Sequence, residues 1–160
     1  MIENIIHANR TLAVLLHAGY REEGIRFFTP DDFSQQLGYM NRPQGYVIPP
    51  HVHNPVAREV LYTQEVLFLK KGRLRVDAYD SDQRYLKSRI LEAGDVILLA
   101  TGGHGFEVLE EIERVEVKQA SVGFRIVVGD CSALMDPIAR AGRRLVAMSA
   151  TAATRRAATL

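Results

Sequence analysis

Three histidines and one glutamate, His51, His53, Glu65 and His104, are the residues of this chain whose types and spacing suit chemistry. Imidazole nitrogens with a carboxylate form a donor set for a first-row ion such as Fe(II), Mn(II), Ni(II) or Zn(II), whereas magnesium and calcium prefer all-oxygen shells. His51 and His53 are separated by one residue, so on an extended strand both project from the same face. Glu65 opens the apolar run Val66 to Leu69, and alternation puts it on the face of Leu67 and Leu69. A carboxylate turned toward a core needs an ion or a basic partner. His104 stands in Thr101-Gly102-Gly103-His104-Gly105-Phe106, where glycines let the backbone turn sharply and a ligand approach closely.

The elements that must position these side chains read as short β-strands. Runs rich in Val, Ile, Leu, Tyr and Phe, broken by Gly, Asp, Asn or Pro, predict an all-β sandwich or barrel. The expected strands are 4–7, 11–17, 25–28, 38–40, 44–53, 61–70, 73–79, 84–91, 96–100, 105–110 and 114–121. Turns such as Lys70-Lys71-Gly72 and Glu92-Ala93-Gly94-Asp95 make consecutive strands antiparallel neighbours. Thr29-Pro30-Asp31-Asp32-Phe33 combines a capping hydroxyl, a proline at the first helical position and acids in the first turn, which predicts one short helix from Pro30 to Gln35. The long connection from Asn54 to Gln64 reads equally as a wall of the site or as a strand edge and dimer contact.

Composition bounds the function. The chain has 160 residues, 47 % of them hydrophobic and 24 % charged, with a formal charge of +1. That suits one globular domain and gives no electrostatic reason to expect nucleic acid or an anionic membrane as partner. The single cysteine, Cys131, leaves no internal disulfide, and the apolar run 12–16 is too short for a signal-peptide core or a membrane span. A cytoplasmic location is expected. Residues 1–131 read as the β domain. Residues 132–160 form an Arg/Ala-rich tail with five arginines against Asp136. Asp136-Pro137 allows a C-terminal helix with Ile138, Ala141, Leu145 and Met148 on one stripe, followed by a disordered end.

The donor residues and their glycines resemble the motifs of the cupin superfamily. The first cupin motif is a glycine, five residues, His-x-His, three or four residues, a glutamate, six residues and a glycine. Here Gly45, Tyr46 to Pro50, His51-Val52-His53, eleven residues, Glu65, Val66 to Lys71 and Gly72 follow that order, with the gap before Glu65 enlarged. Glu59 lies nearer the usual offset from the histidines, but no glycine follows it at the right distance, which favours Glu65. The second motif is matched by Gly94, Asp95 to Leu99, Ala100-Thr101-Gly102, Gly103 and His104. Alanine stands in place of proline, one residue fewer precedes the histidine, and Val108 takes the place of asparagine. The stretch 27–119, including Phe33-Ser34-Gln35-Gln36-Leu37-Gly38-Tyr39-Met40-Asn41-Arg42-Pro43, resembles a group of small bacterial cupins often found among genes for surface-polysaccharide or modified-sugar synthesis.

The resemblance implies a cupin double-stranded β-helix, a small antiparallel β-barrel with room for an interior ligand. It implies a divalent transition metal on His51, His53, Glu65 and His104, and a metal-dependent enzyme acting on a small polar molecule such as a sugar or sugar-nucleotide derivative. Isomerase, lyase and dioxygenase chemistry all stay open. The alternative is a non-catalytic metal- or small-molecule-binding or sensor cupin. A homodimer is expected in either case, without nucleic acid or membrane partners. Around the donors, Tyr39, Tyr46, Tyr62, Thr63, Glu107 and Gln119 are candidates to contact substrate or orient ligands. Gln119 ends the Val115, Val117 stripe and is a candidate to face the cavity. Lys118 and Arg42 are candidates for binding an acidic group.

Overall fold

The computed structural model describes residues 1–57 and 59–119, all in β-strands, turns and irregular connections. Among the described residues ten strands are present: β1 (Ile2–His7), β2 (Arg10–Leu16), β3 (Gly24–Phe27), β4 (Gly38–Asn41), β5 (Glu65–Lys71), β6 (Leu74–Tyr79), β7 (Tyr85–Leu91), β8 (Val96–Leu99), β9 (Gly103–Val108) and β10 (Glu113–Lys118). They form a five-stranded sheet in the order β1-β2-β8-β5-β10, a three-stranded sheet in the order β7-β6-β9 and the separate hairpin β3-β4. Every pairing is antiparallel. The expected C-terminal helix and tail, 132–160, lie outside the described residues.

From β5 onward the chain alternates between the two larger sheets. β5 lies in the five-stranded sheet, β6 and β7 in the three-stranded one, β8 returns, β9 crosses again and β10 returns. Strands that swap sheets in this way characterise double-sheet jelly rolls. The sheets do not close into the expected barrel: β1 and β10 remain edges of one sheet, β7 and β9 edges of the other.

The inner faces bury the main core, formed by Ile5, Ala13, Leu15, Leu67, Leu69, Ile97 and Leu99 from the larger sheet and Leu74, Val76, Ala78 and Leu91 from the smaller. Each fully buried aliphatic side chain of this kind stabilises the fold by about 1.5–3 kcal/mol. Val14 and Leu98 point to the opposite face of the larger sheet, where Leu37, Phe28 and Phe33 pack over them. At one side the two sheets are tied by Arg89 of β7, whose guanidinium donates to the Glu3 carboxylate of β1.

Two expectations fail for identifiable reasons. No helix forms at 30–35; residues 31–35 are turns and bends held by one Phe33 N–H to Pro30 carbonyl bond of 3.2 Å. Side chains take the groups a helix would need: Gln64 Oε1 accepts from the Gln35 N–H and Ser34 Oγ, both at 3.0 Å, and Thr29 Oγ1 accepts from the Leu37 N–H at 3.2 Å. The strand expected at 44–53 is likewise missing. Pro43, Pro49 and Pro50 lack ladder donors, and Gly45, at φ +84°, sits in a turn closed by the Tyr46 N–H on the Pro43 carbonyl. No helix among the described residues is long and apolar enough to cross a membrane.

Candidate functional site

Glu65 starts β5 and lies in a row across four strands, Ala13, Leu99, Glu65 and Lys118, set by the register of β2, β8, β5 and β10. Ala13 and Leu99 belong to the inter-sheet core, so Glu65 shares their inner face, with its side chain 16 % exposed. On the facing sheet His104 pairs with Ala78 and Phe106 with Val76, whose side chains also point inward. His104 Nε2 stands 3.3 Å from Glu65 Oε2, joining the two sheets. Burial pulls the His104 imidazole below its usual pKa, while the neighbouring Glu65 and Glu116 carboxylates act the other way.

The edge strands β9 and β10 surround this pair with further charged side chains. Lys118 Nζ lies 3.6 Å from Glu65 Oε1 and 3.0 Å from Glu116 Oε1, and Arg114 donates to Glu116 at 3.0 Å. The Glu116 hydrogen bond and the Glu65 charge hold the Lys118 ammonium above its usual pKa. The Arg114 guanidinium covers the Phe106 ring at 4.9 Å, and His104 lies 5.3 Å from the same ring. Val115 and Val117, 49 % and 57 % exposed, face outward, so β10 turns its charges in and its valines out. On an edge strand such as β10, inward charges also discourage pairing with another chain.

The four predicted donors divide into two pairs. Glu65 and His104 meet between the sheets. His51 and His53 are exposed on the irregular segment after β4, their rings 5.3 Å apart, with His51 Nδ1 2.9 Å from the Pro49 carbonyl oxygen. Among the described residues no three His, Cys, Asp or Glu side chains gather to hold an ion. Glu59 lines a separate cleft.

Two other candidates serve the scaffold. Glu107 pairs with Arg75 on the outer face of the smaller sheet, where Arg75 also grips the buried Asp77. Gln119 lies on the outer parity of β10; its Oε1 accepts from the Gln64 N–H at 2.8 Å and its Nε2 donates to Ser34 Oγ at 2.9 Å. Arg42 stacks over Tyr46 at 4.7 Å, and Tyr39 packs edge-on against Tyr20. Sequence reading missed Arg114, Glu116 and Phe106 as residues around Glu65 and His104. The signal for Arg114 and Glu116 is the alternation Arg114-Val115-Glu116-Val117-Lys118, in which the charges rather than the valines face inward; Phe106 carries no such signal. Comparison of the chain with family models, with curated proteins and with solved structures finds no significant match.

Proposed function

We propose that this chain is a cupin-type protein that takes a small polar molecule, such as a sugar or sugar-nucleotide derivative, between β9 and β10 and acts on it as a metal-dependent enzyme. The observation that carries the reading is the meeting of Glu65 and His104, from different sheets, on an inner face that is otherwise aliphatic. A protein whose only need was stability would gain by replacing such a pair with apolar side chains. The sheet-swapping order of β5 to β10 supports the cupin part of the reading.

The donor chemistry fits a divalent transition ion, since three imidazoles and a carboxylate suit Fe, Mn, Ni or Zn. Glu65 and His104 would form the fixed half of the set, with His51 and His53 as the other half. A bound ion supplies Lewis acidity toward a carbonyl or hydroxyl of the substrate. The chain's own residues supply the rest. Glu65 orients the His104 imidazole, which burial keeps neutral and so able to serve as a nitrogen ligand; Lys118 and Arg114 attract an anionic substituent; Phe106 presents an apolar face to the substrate body.

Elemental analysis of tag-free protein tests the metal. About one equivalent of a first-row ion, lost in folded Glu65→Ala, His104→Ala and His51→Ala variants, supports the reading, and metal-free native protein overturns it. A second reading, a metal-free binding or sensor module, is favoured by the Lys118 ammonium beside Glu65 and by the separation of the two histidine pairs. It requires ligand binding by chelator-treated protein. The homodimer belongs to the proposal too, supported by the exposed apolar stripe of Phe68, Val115 and Val117, and a monomer by light scattering at micromolar concentration overturns that part.

A further inference from the structure

A second cleft, of about 440 Å³, opens where the β1–β2 turn meets segments 30–34 and 59–64. Its volume lies within the range that holds small molecules. Side-chain bonds fix its walls. Thr101 Oγ1 donates to the Thr11 carbonyl at 2.9 Å, and Gln64 ties Ser34 and Gln35 to the start of β5. Walls held in this way do not need to be ordered by the ligand.

Three charged side chains line the cleft, Arg10 on one wall and Asp32 and Glu59 on others. Among the described residues none of the three forms an ion pair. The Arg10 guanidinium is instead set over the Tyr62 ring, 5.1 Å from its centre, which positions it while leaving its donors open. Other charges on the sheets do meet opposite partners, as in Arg75 with Asp77, Arg89 with Glu3 and Lys71 with Glu111. One cation and two carboxylates held apart on one cleft match a ligand that carries both signs.

We propose that this cleft binds a small zwitterion, its anionic group on Arg10, its ammonium on Asp32 and Glu59, and its body against Tyr62. Arg10 makes no ion pair with either acid, so a ligand carrying both charges on one small body, as an amino acid does, can bridge them.

The test is titration of the ¹⁵N-labelled full chain with 4-aminobutyrate, butyrate, butylammonium and glucose, followed by amide shifts. Saturable shifts centred on Arg10, Thr11 and Tyr62 are expected, with 4-aminobutyrate binding about tenfold or more tighter than either singly charged probe. Arg10→Gln and the double variant Asp32→Asn/Glu59→Gln should each weaken it by about tenfold. If a variant fails to fold, salt titration of the native chain reads the same charges, and affinity should fall as ionic strength rises. Equal affinity for the singly charged probes, binding of glucose alone, shifts centred on His104, unchanged affinity in folded variants or at high salt, or no saturable shift with any probe would overturn the assignment.

Discussion

Glu65 and His104 belong to different sheets, yet Glu65 Oε2 lies 3.3 Å from His104 Nε2 while Oε1 of the same carboxylate faces Lys118 at 3.6 Å. One carboxylate therefore stands between a histidine of β9 and a lysine of β10, edge strands of the two sheets. The opposite side of the same sandwich is closed by Glu3 and Arg89 of β1 and β7. Each end of the inter-sheet core thus carries a polar pair that joins the two sheets, and the β9–β10 end adds Lys118 and Glu116 beside it.

Replacing Glu65 by leucine continues the inward stripe of Leu67 and Leu69. Exchanging both members removes the polar pair beside Ala13 and Leu99 without leaving one orphaned, so the double variant Glu65→Leu/His104→Leu should raise unfolding stability by about 1–2 kcal/mol while abolishing metal or ligand binding. Urea denaturation paired with a binding assay measures both. Loss of stability in the double variant would place the pair in the scaffold instead.

The Glu3–Arg89 tie makes stability depend on pH. The hydrogen bond from Arg89 lowers the Glu3 pKa below the ordinary carboxylate value of 4.5. A depressed folded-state pKa contributes stability that is present above the unfolded value and disappears as pH falls through the folded one. Partial solvent exposure limits the contribution to about 1 kcal/mol. Glu3→Gln should therefore destabilise the protein at pH 7 and have almost no effect near pH 2, measured by urea melts at the two pH values.

Much of this arrangement was legible before any coordinates, because alternating apolar runs between glycine-rich turns place ten of the strands within a few residues of where they lie. The helix at 30–35 was misread because its capping signals are local, whereas Gln64, about thirty residues away, takes its backbone groups. The strand expected at 44–53 does not form because Pro49 and Pro50 within it remove ladder donors, which the His-x-His spacing does not reveal. Glu65 and His104 were found because each breaks an apolar pattern. The inward charges of β10 were not, since alternation gives two faces and only the register against Glu65 says which one points in.

Gly72 shows how the turn after β5 constrains the site. Its φ is +82°, and a Cβ there would lie 2.0 Å from the Glu111 carbonyl oxygen, in the connection that leads into β10. Gly72→Ala must therefore shift β5 against the strand that carries Lys118 and Glu116. A loss of about 2 kcal/mol or more is expected from the backbone conformation and the clash together. Thermal denaturation gives the loss, and a Gly72→Ala protein as stable as the native one would show that the 109–112 connection yields freely.

Gln64 precedes Glu65 and accepts the Ser34 hydroxyl and the Gln35 N–H, while Gln119 takes its own backbone N–H. The residue is 5 % exposed, so truncation strips partners from groups with little access to water. Gln64→Ala should cost about 2 kcal/mol and loosen the 28–37 segment from the outer face of the larger sheet. Gln64→Glu keeps the acceptor, gains a charge in a buried position and should cost as much at pH 7 yet recover at low pH, where the neutral carboxyl again accepts from Ser34. Amide hydrogen exchange at Gln35 and Leu37 reads the loosening directly. Unchanged protection in Gln64→Ala would mean that Phe28, Phe33 and Leu37 hold the segment by packing alone.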